Sequence, residues 1–371
     1  MKKNIKWILL IALIIIIICC IKFYRNTHSD DGSIPEIQKK ELKIGAILPL
    51  TGDAAIAGKN TQKGIELALK LINEKNNNND TIIVIYEDTK ADPKTAISSV
   101  YKLLNNDKVT YIIDNSISQV TLSVAPIINK NKTILLATGA SSPKISQAGK
   151  NIFRIWNSDN EEAFVMAKFV KDSLKANNIL IIYANNEYGT GLKDAFITSI
   201  KNDSIKFKEL AINDNYIIPY KKLNKFSAIY VIAHSKNTIQ ILKKIVEKGY
   251  KGIILGTSVM LDPNVQKEIK KLKLTTYYPT PKIPSSDNQN YVLFVNEYKK
   301  MYNENPVPLS DVGFDAVNLY YKAIHTYDTL PEYEAIFKYF NSGKEYIGAS
   351  GIIKFDKNGD VHKPITINKI N

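Results

Sequence analysis

The sequence predicts an α/β protein made of two doubly wound parallel sheets in succession. Three observations predict it. Apolar, β-branched runs alternate with segments of helical period along most of the chain. A length of 371 residues, 44% hydrophobic and 23% charged, is awkward for one core and comfortable for two domains of ordinary size. Small polar loops follow the predicted strands in both halves. The runs are continuous rather than alternating, as expected of strands covered on both faces by helices.

Order is predicted to begin at Lys43, with a strand Ile44–Leu50, a helix Thr61–Asn73 carrying Ile65, Ala68, Leu69 and Ile72 on one face, and a strand Ile82–Tyr86. Asp92-Pro93 combines an N-cap residue with proline at the first helical position, and opens a helix that turns Ala96, Ile97, Val100 and Leu104 inward. A strand Val109–Ile113, a helix near Leu122–Asn129 and a strand Thr133–Ala137 complete the first series. A second series follows Phe153-Arg154-Ile155-Trp156. It runs through a helix Glu161–Leu174, a strand Ile179–Tyr183, a helix Gly191–Ile200, strands Phe207–Ile212 and Ala228–Ala233, a helix Thr238–Lys248 and a strand Gly252–Leu255. The proline-bearing stretch Tyr277–Pro284 reads as a second crossing between lobes. Helices Gln289–Tyr302, Asp311–Tyr327 and Glu332–Phe340 then lead to a predicted hairpin, Ile352–Phe355 and Ile365–Ile370, with Asp356-Lys357-Asn358-Gly359 as its turn.

Ahead of this body, Lys2, Lys3 and Lys6 precede an unbroken apolar run from Trp7 to Ile21, followed by Lys22 and Arg25. Positive charge before the run favours export of the chain beyond it. The run is shorter than the roughly 20 residues of a spanning helix and suits a signal-peptide core. Cys19 and Cys20 close it and are the only cysteines, so the body has no disulfide framework, thiolate nucleophile or zinc-cysteine site. Residues 1–25 are expected to be a signal, a lipoprotein signal with a lipidated cysteine, or an uncleaved anchor; residues 26–41 read as a polar tether. Each alternative places the body outside the cytoplasm, at the periplasm or cell surface. The net charge of +14 is almost all lysine, with Arg25 and Arg154 the only arginines. Bidentate reading of phosphates and guanine edges favours arginine, so a solvated lysine surface is expected and no nucleic-acid partner.

The inventory argues against an enzyme. His28, His234, His325 and His362 show no metal-ligand spacing, Gly139-Ala140-Ser141-Ser142 lacks the form of a nucleophile elbow, and Gly189-Thr190-Gly191 has neither P-loop nor dinucleotide spacing. No catalytic residue, metal or cofactor is expected, and Asp92 reads as a helix cap rather than half of an acid–base pair. What stands out are the loops Thr51-Gly52-Asp53, Asn115–Gln119, Thr138–Ser142 and Asn185–Gly191, each after a predicted strand. Ligands of open α/β sheets sit outside the carboxyl ends of strands, where hydroxyls, glycines and helix N-termini suit an anionic group.

Ile44-Gly45-Ala46-Ile47-Leu48-Pro49-Leu50-Thr51-Gly52, Gly64 to Ala68, Glu87-Asp88-Thr89 with Asp92-Pro93, Gly139 to Pro143, Phe153-Arg154, Glu187 to Gly191 and Phe314-Asp315-Ala316-Val317 together resemble the type I periplasmic binding proteins of branched-chain amino acid ABC transporters. The resemblance covers about Leu42 to Asn371. It implies two Rossmann-like lobes joined by a three-strand hinge, 42–156 plus 282–346 and 157–281 plus 347–371, closing on a small ligand and presenting it to an ABC permease in the membrane. It implies that Ser118, Ala140 and Ser141 hold a ligand carboxylate and that Tyr188 packs from the second lobe. The positions matching an acidic ammonium partner and an aromatic contact are Ser258 and His234, neither of which has the family's residue type. Asp262 and Glu187 are the candidate substitutes. The expected ligand is a small polar or carboxylate-bearing molecule, an amino acid, amide or organic acid, with the missing acid counting against a zwitterion. The alternative use of such a clamp is as a sensor or envelope-assembly partner without transport.

Overall fold

The computed structural model describes residues 14–23, 40–75, 80–201, 203–213, 216–220 and 222–371. The chain divides into two compact units, Met1–Lys40 and Glu41–Asn371. In the first, residues 14–23 are helical, and Cys19 and Cys20 are exposed free thiols. The rest of the expected leader and tether, 1–13 and 24–39, lies outside the described residues. Among the described residues no helix is long and apolar enough to cross a membrane.

The second unit holds both predicted sheets. In the first lobe, β1 (Lys40–Leu48), β2 (Asp80–Asp88), β3 (Tyr111–Asp114), β4 (Ile134–Ala137) and β5 (Ile152–Arg154) lie in the order β2-β1-β3-β4-β5. β3 pairs in parallel with β1 and β4, and β4 with β5. The helices α1 (Ala55–Lys75), α2 (Pro93–Asn105) and α3 (Ser118–Lys130) follow β1, β2 and β3. Successive residues of one strand serve opposite cores: Tyr111 and Ile113 pack with Ile44, Ala46 and α1, while Ile112 packs with Ile47, Val100 and Val124. This two-sided burial is why the runs are unbroken.

The second lobe contains α4 (Asp159–Phe169), β6 (Asn178–Ala184), α5 (Glu187–Ile200), β7 (Lys206–Ile212), β8 (Ala228–Ile232), α6 (Ser235–Glu247), β9 (Ile253–Leu255), α7 (Pro263–Lys271), β10 (Thr276–Pro281) and, at the C-terminus, β13 (Ile365–Ile370). Its sheet runs β13-β10-β9-β8-β6-β7, parallel except for the antiparallel β10–β13 pair. Leu180 and Ile182 face one core, Ile179 and Ile181 the other.

The stretch read as a crossing at Tyr277–Pro284 is in its first part strand β10. Its prolines are tolerated because β9 pairs only with Thr276 and Tyr277, so Pro279 and Pro281 lie beyond that partner and forfeit no ladder bond. The chain then returns to the first lobe as α8 (Gln289–Tyr302), α9 (Ser310–Thr326) and α10 (Glu332–Phe340). α9 lies directly on α1 at a glycine contact. A Cβ added to Gly64 would stand 1.8 Å from the Ser310 carbonyl oxygen, and one on Gly313 would stand 2.3 Å from that of Thr61.

The predicted C-terminal hairpin does not form. β12 (Gly351–Ile353) pairs with β11 (Tyr346–Gly348), while β13 pairs with β10. The turn itself is present, with Gly359 at φ 79° and the Asp356 carboxylate accepting from Asn358 N (2.8 Å) and Asp360 N (3.0 Å). It redirects the chain between lobes rather than folding one strand onto its neighbour. Ala349, Ile353, Phe355 and Val361 belong to the first lobe's core, so the segment 347–361, expected in the second lobe, packs with the first. The last change of lobe falls between Val361 and Ile365.

Candidate functional site

A cleft of about 670 Å³ lies where the carboxyl ends of the two sheets meet. The first lobe lines it with Gly52 and Asp53 after β1, Asn115 to Ser118 after β3, and Gly139 and Ser141 after β4; the second contributes Tyr188, His234, Ser258 and Asp262. Of the six expected site residues, Ser118, Ser141, Tyr188, His234 and Ser258 line this space. Ala140 does not: it is buried in the core beneath the loop with Val120 and Val124. Any part it plays falls to its backbone.

The first-lobe wall is held by hydrogen bonds that fix backbone rather than face solvent. Asp88 accepts from Leu50 N (2.8 Å), Lys90 N (3.0 Å) and the Thr51 hydroxyl (2.6 Å), which shapes the loop after β1. Asp92 is the expected N-cap, accepting from Thr95 N at 2.9 Å. Ser118 opens α3, and its Oγ accepts from Ser141 N (3.3 Å) and Ser142 N (3.1 Å), leaving its own proton to donate.

Beneath that loop lies Arg154, fully buried. Its Nη1 donates to the carbonyls of Ser141 and Ser142, each at 2.9 Å, its Nη2 donates to Ser146 Oγ at 3.1 Å, and its Nε and Nη2 reach Asp360 at 3.0 and 2.7 Å. One guanidinium thereby ties the 139–142 loop to the last crossing. Its five donors explain why a lysine-rich chain keeps an arginine here.

The second-lobe wall starts from helix N-termini. Asn186 caps α5 by accepting from Gly189 N at 2.9 Å, and a Cβ on Gly189 would lie 2.0 Å from the Ala184 carbonyl oxygen, so the helix begins tight against the end of β6. That places Tyr188 in the cleft, stacked on His234 with ring centroids 4.8 Å apart. Burial lowers the His234 pKa to about 4, so the ring is neutral and serves as a flat wall. The two candidate acids are otherwise engaged. Asp262 caps α7 by accepting from Asn264 N (2.8 Å), and Glu187 reaches across the cleft to Lys144 (2.9 Å) and Ser142 Oγ (3.1 Å). Lys236 and Asp53 form a second pair between lobes at 2.9 Å.

The sequence reading missed Asp159 and Glu162. They lie three residues apart on α4, both buried, with Asp159 beside Ser141 and Glu162 accepting from Ser258 N at 3.1 Å. The Ser141 hydroxyl is the donor beside Asp159, the Tyr188 hydroxyl has Thr257 beside it, and the Tyr230 hydroxyl is unpartnered. Burial raises Asp159 to about 7, partly opposed by the Ser141 hydroxyl and Arg154; burial and the neighbouring Asp159 raise Glu162 to about 8. The signal lay in the sequence as Ser158-Asp159 followed by Glu162, which reads as an ordinary capped, acidic first turn.

Two doubly wound sheets meeting at a ligand-sized cleft define a bilobal binding protein. The chain belongs to the periplasmic binding protein family, whose model matches residues 41–371. This is a family of binding proteins, in agreement with the non-enzymatic inventory. Among curated relatives it is 28% identical over 167 residues to Leu/Ile/Val-binding protein homolog 3 of Brucella melitensis, covering 44% of this chain and 45% of the relative. It is 28% identical over 175 residues to Leu/Ile/Val-binding protein BraC3 of Rhizobium johnstonii, covering 44% and 47%. The chain thus matches about half the length of these relatives. Its fold is that of a leucine binding protein LivK from Thermotoga maritima (TM-score 0.79, 24% identity, 88% of this chain and 95% of that one). It also matches a Rhodopseudomonas palustris solute binding protein in complex with 3,4-dihydroxybenzoic acid (TM-score 0.74, 20% identity, 89% and 93%).

Proposed function

We propose that the chain is an extracytoplasmic solute-binding protein of an ABC uptake system, tethered through its N-terminal segment, that closes its lobes on a small ligand and passes it to a membrane permease. The observation that carries this reading is the composition of the cleft: hydroxyls and a helix N-terminus on the first lobe, an aromatic wall on the second, and two carboxylates buried behind the lining residues Ser141 and Ser258. A ligand carboxylate is received by the Ser118 hydroxyl, Ser141 and the backbone around Ala140, near the positive end of α3. A ligand ammonium faces Asp159 and Glu162, the cation near Asp159, Arg154, being committed to Asp360. Tyr188 and His234 cover the less polar part, and Ser258 positions Glu162. An amino acid has these three features at the required scale, and relatives named for leucine, isoleucine and valine agree with that class. Membership of a periplasmic family and the lysine-flanked apolar leader support a place outside the cytoplasm.

A thermal-shift panel of amino acids, their amides, organic acids and aromatic acids tests the assignment. Binding raises the unfolding temperature by mass action. A shift with amino acids and none with the matching amines or acids is expected. A response to aromatic or organic acids alone would remove the ammonium from this reading.

A further inference from the structure

Buried carboxylates without a cation free to pair with them are costly, and the α4 pair places two within one turn. Asp159 opens the helix and Glu162 stands three positions on, which places them on one face. Both are more than nine-tenths buried; Glu162 accepts from Ser258 N with the Ser258 hydroxyl beside it, and Asp159 has the Ser141 hydroxyl beside it. The positive group near Asp159, Arg154, already directs its donors to Asp360, Ser146 and the carbonyls of Ser141 and Ser142. From α5 come Glu187, which adds negative charge, and Tyr188; from β8 comes Tyr230. On β10 and β13, which also pack against α4, Tyr277 and Lys369 face each other, with Lys369 Nζ 5.7 Å from the ring. His362, at the last crossing, is engaged by Glu161 and Asp356 instead.

We propose that Asp159 and Glu162 hold a proton between them while the cleft is empty and release it to solvent when a ligand ammonium enters, so that capture of the ligand is coupled to proton release. This rests on the amino-acid reading given above. The charge balance is direct: one positive nitrogen enters, one proton leaves, and the cleft never carries two bare anions. Two close carboxylates in an apolar site cannot both ionise cheaply, and burial raises both. The ammonium removes that obstacle by pairing with the ionised form. Affinity therefore falls up to tenfold for each pH unit below the range in which the empty pair ionises, and levels off above it.

The test begins without ligand. Carboxyl resonances of the full chain, labelled at Asp and Glu, are followed from about pH 4 to 9. We expect a carboxyl that titrates near neutrality, disappears in Glu162→Gln, and is mirrored by a second that moves down in that variant. If every carboxyl titrates below about pH 5, the protonated pair is refuted. Leucine is then titrated calorimetrically near pH 7 in phosphate and in Tris, whose ionisation heats differ. Heats that differ by about one proton's worth support coupled release, and equal heats refute it. Absence of any leucine heat beside a neutral-range titration overturns the amino-acid reading while supporting the protonated pair, so the two failures are distinguishable.

Discussion

Replacing Arg154 by methionine keeps the buried stem and removes the charge and all five donors. Asp360, only 7% exposed, then loses its cation, and the carbonyls of Ser141 and Ser142 keep one bond each, from Asp159 N (2.9 Å) and Ile145 N (3.1 Å). Because the carbonyls retain partners, the dominant loss is the uncompensated Asp360 charge. Breaking a buried ion pair from one side costs about 3–5 kcal/mol, so about 4 kcal/mol is expected. Urea unfolding of wild type, Arg154→Met, Asp360→Asn and the double variant measures it as a cycle. The double variant should be destabilised by at least about 2 kcal/mol less than the two single effects added together, since it leaves no buried charge behind. Arg154→Lys should rescue little, because one ammonium cannot reach both carbonyls and the carboxylate. A single variant that loses less than about 1 kcal/mol, or a cycle additive within about 0.5 kcal/mol, would refute the reading of Arg154 as the tie between binding loop and crossing.

Gly64→Val places atoms inside the Ser310 backbone and should destabilise by about 3 kcal/mol or more, whereas Gly191→Ala, whose nearest neighbour is 3.5 Å away, should be neutral or slightly stabilising; thermal melts compare them. Glu187→Ala removes a partly exposed contact between lobes worth no more than about 1 kcal/mol, so ligand affinity should weaken at most about fivefold, with a less compact particle by small-angle scattering. Ligand-free protein should lose stability as pH rises from about 5 to 8. The folded-state pKa values of Asp159 and Glu162 lie above their unfolded values, so the folded form binds more protons in that window and the contribution fades as each ionises. Glu162→Gln should flatten the slope, which denaturation at several pH values reads; an unchanged slope would locate the effect elsewhere.

Much of the fold was legible because each strand is buried on both faces and each helix carries one apolar stripe. The loops after β1, β3, β4 and β6 were legible as well, since hydroxyls and glycines after an apolar run mark a strand's carboxyl end. The features that escaped notice were set by tertiary partners. β10 contains two prolines and looks like a linker until one sees that β9 ends beside them. The run Ile352–Phe355 and the turn at 356–359 have the chemistry of a hairpin, but β13 finds a longer partner in β10. Ala140 sits in a polar loop yet points into the core, because Ser141 and not Ala140 faces the cleft. Asp262 stood out as an acid near the expected place, although its local geometry makes it a cap. Asp159 and Glu162 passed as an ordinary acidic first turn because only their burial behind Ser141 and Ser258 distinguishes them from one. Arg154 belonged to a recognisable motif, but its partner Asp360 is more than two hundred residues away in sequence.

Calorimetric titration of leucine, or of whichever amino acid gives the largest thermal shift, into wild type, Ser141→Ala and Tyr188→Ala tests most directly whether the ligand is held between the lobes. Hydrogen bonds to a charged group contribute about 1.5–3 kcal/mol each, so Ser141→Ala should weaken binding about ten- to a hundredfold, and Tyr188→Ala by a similar factor through lost packing. One ligand per chain, with both variants weakened and still folded, is the predicted result. Equal affinity in all three proteins would contradict it, and the binding site would then lie outside the cleft lined by Ser118, Ser141 and Tyr188.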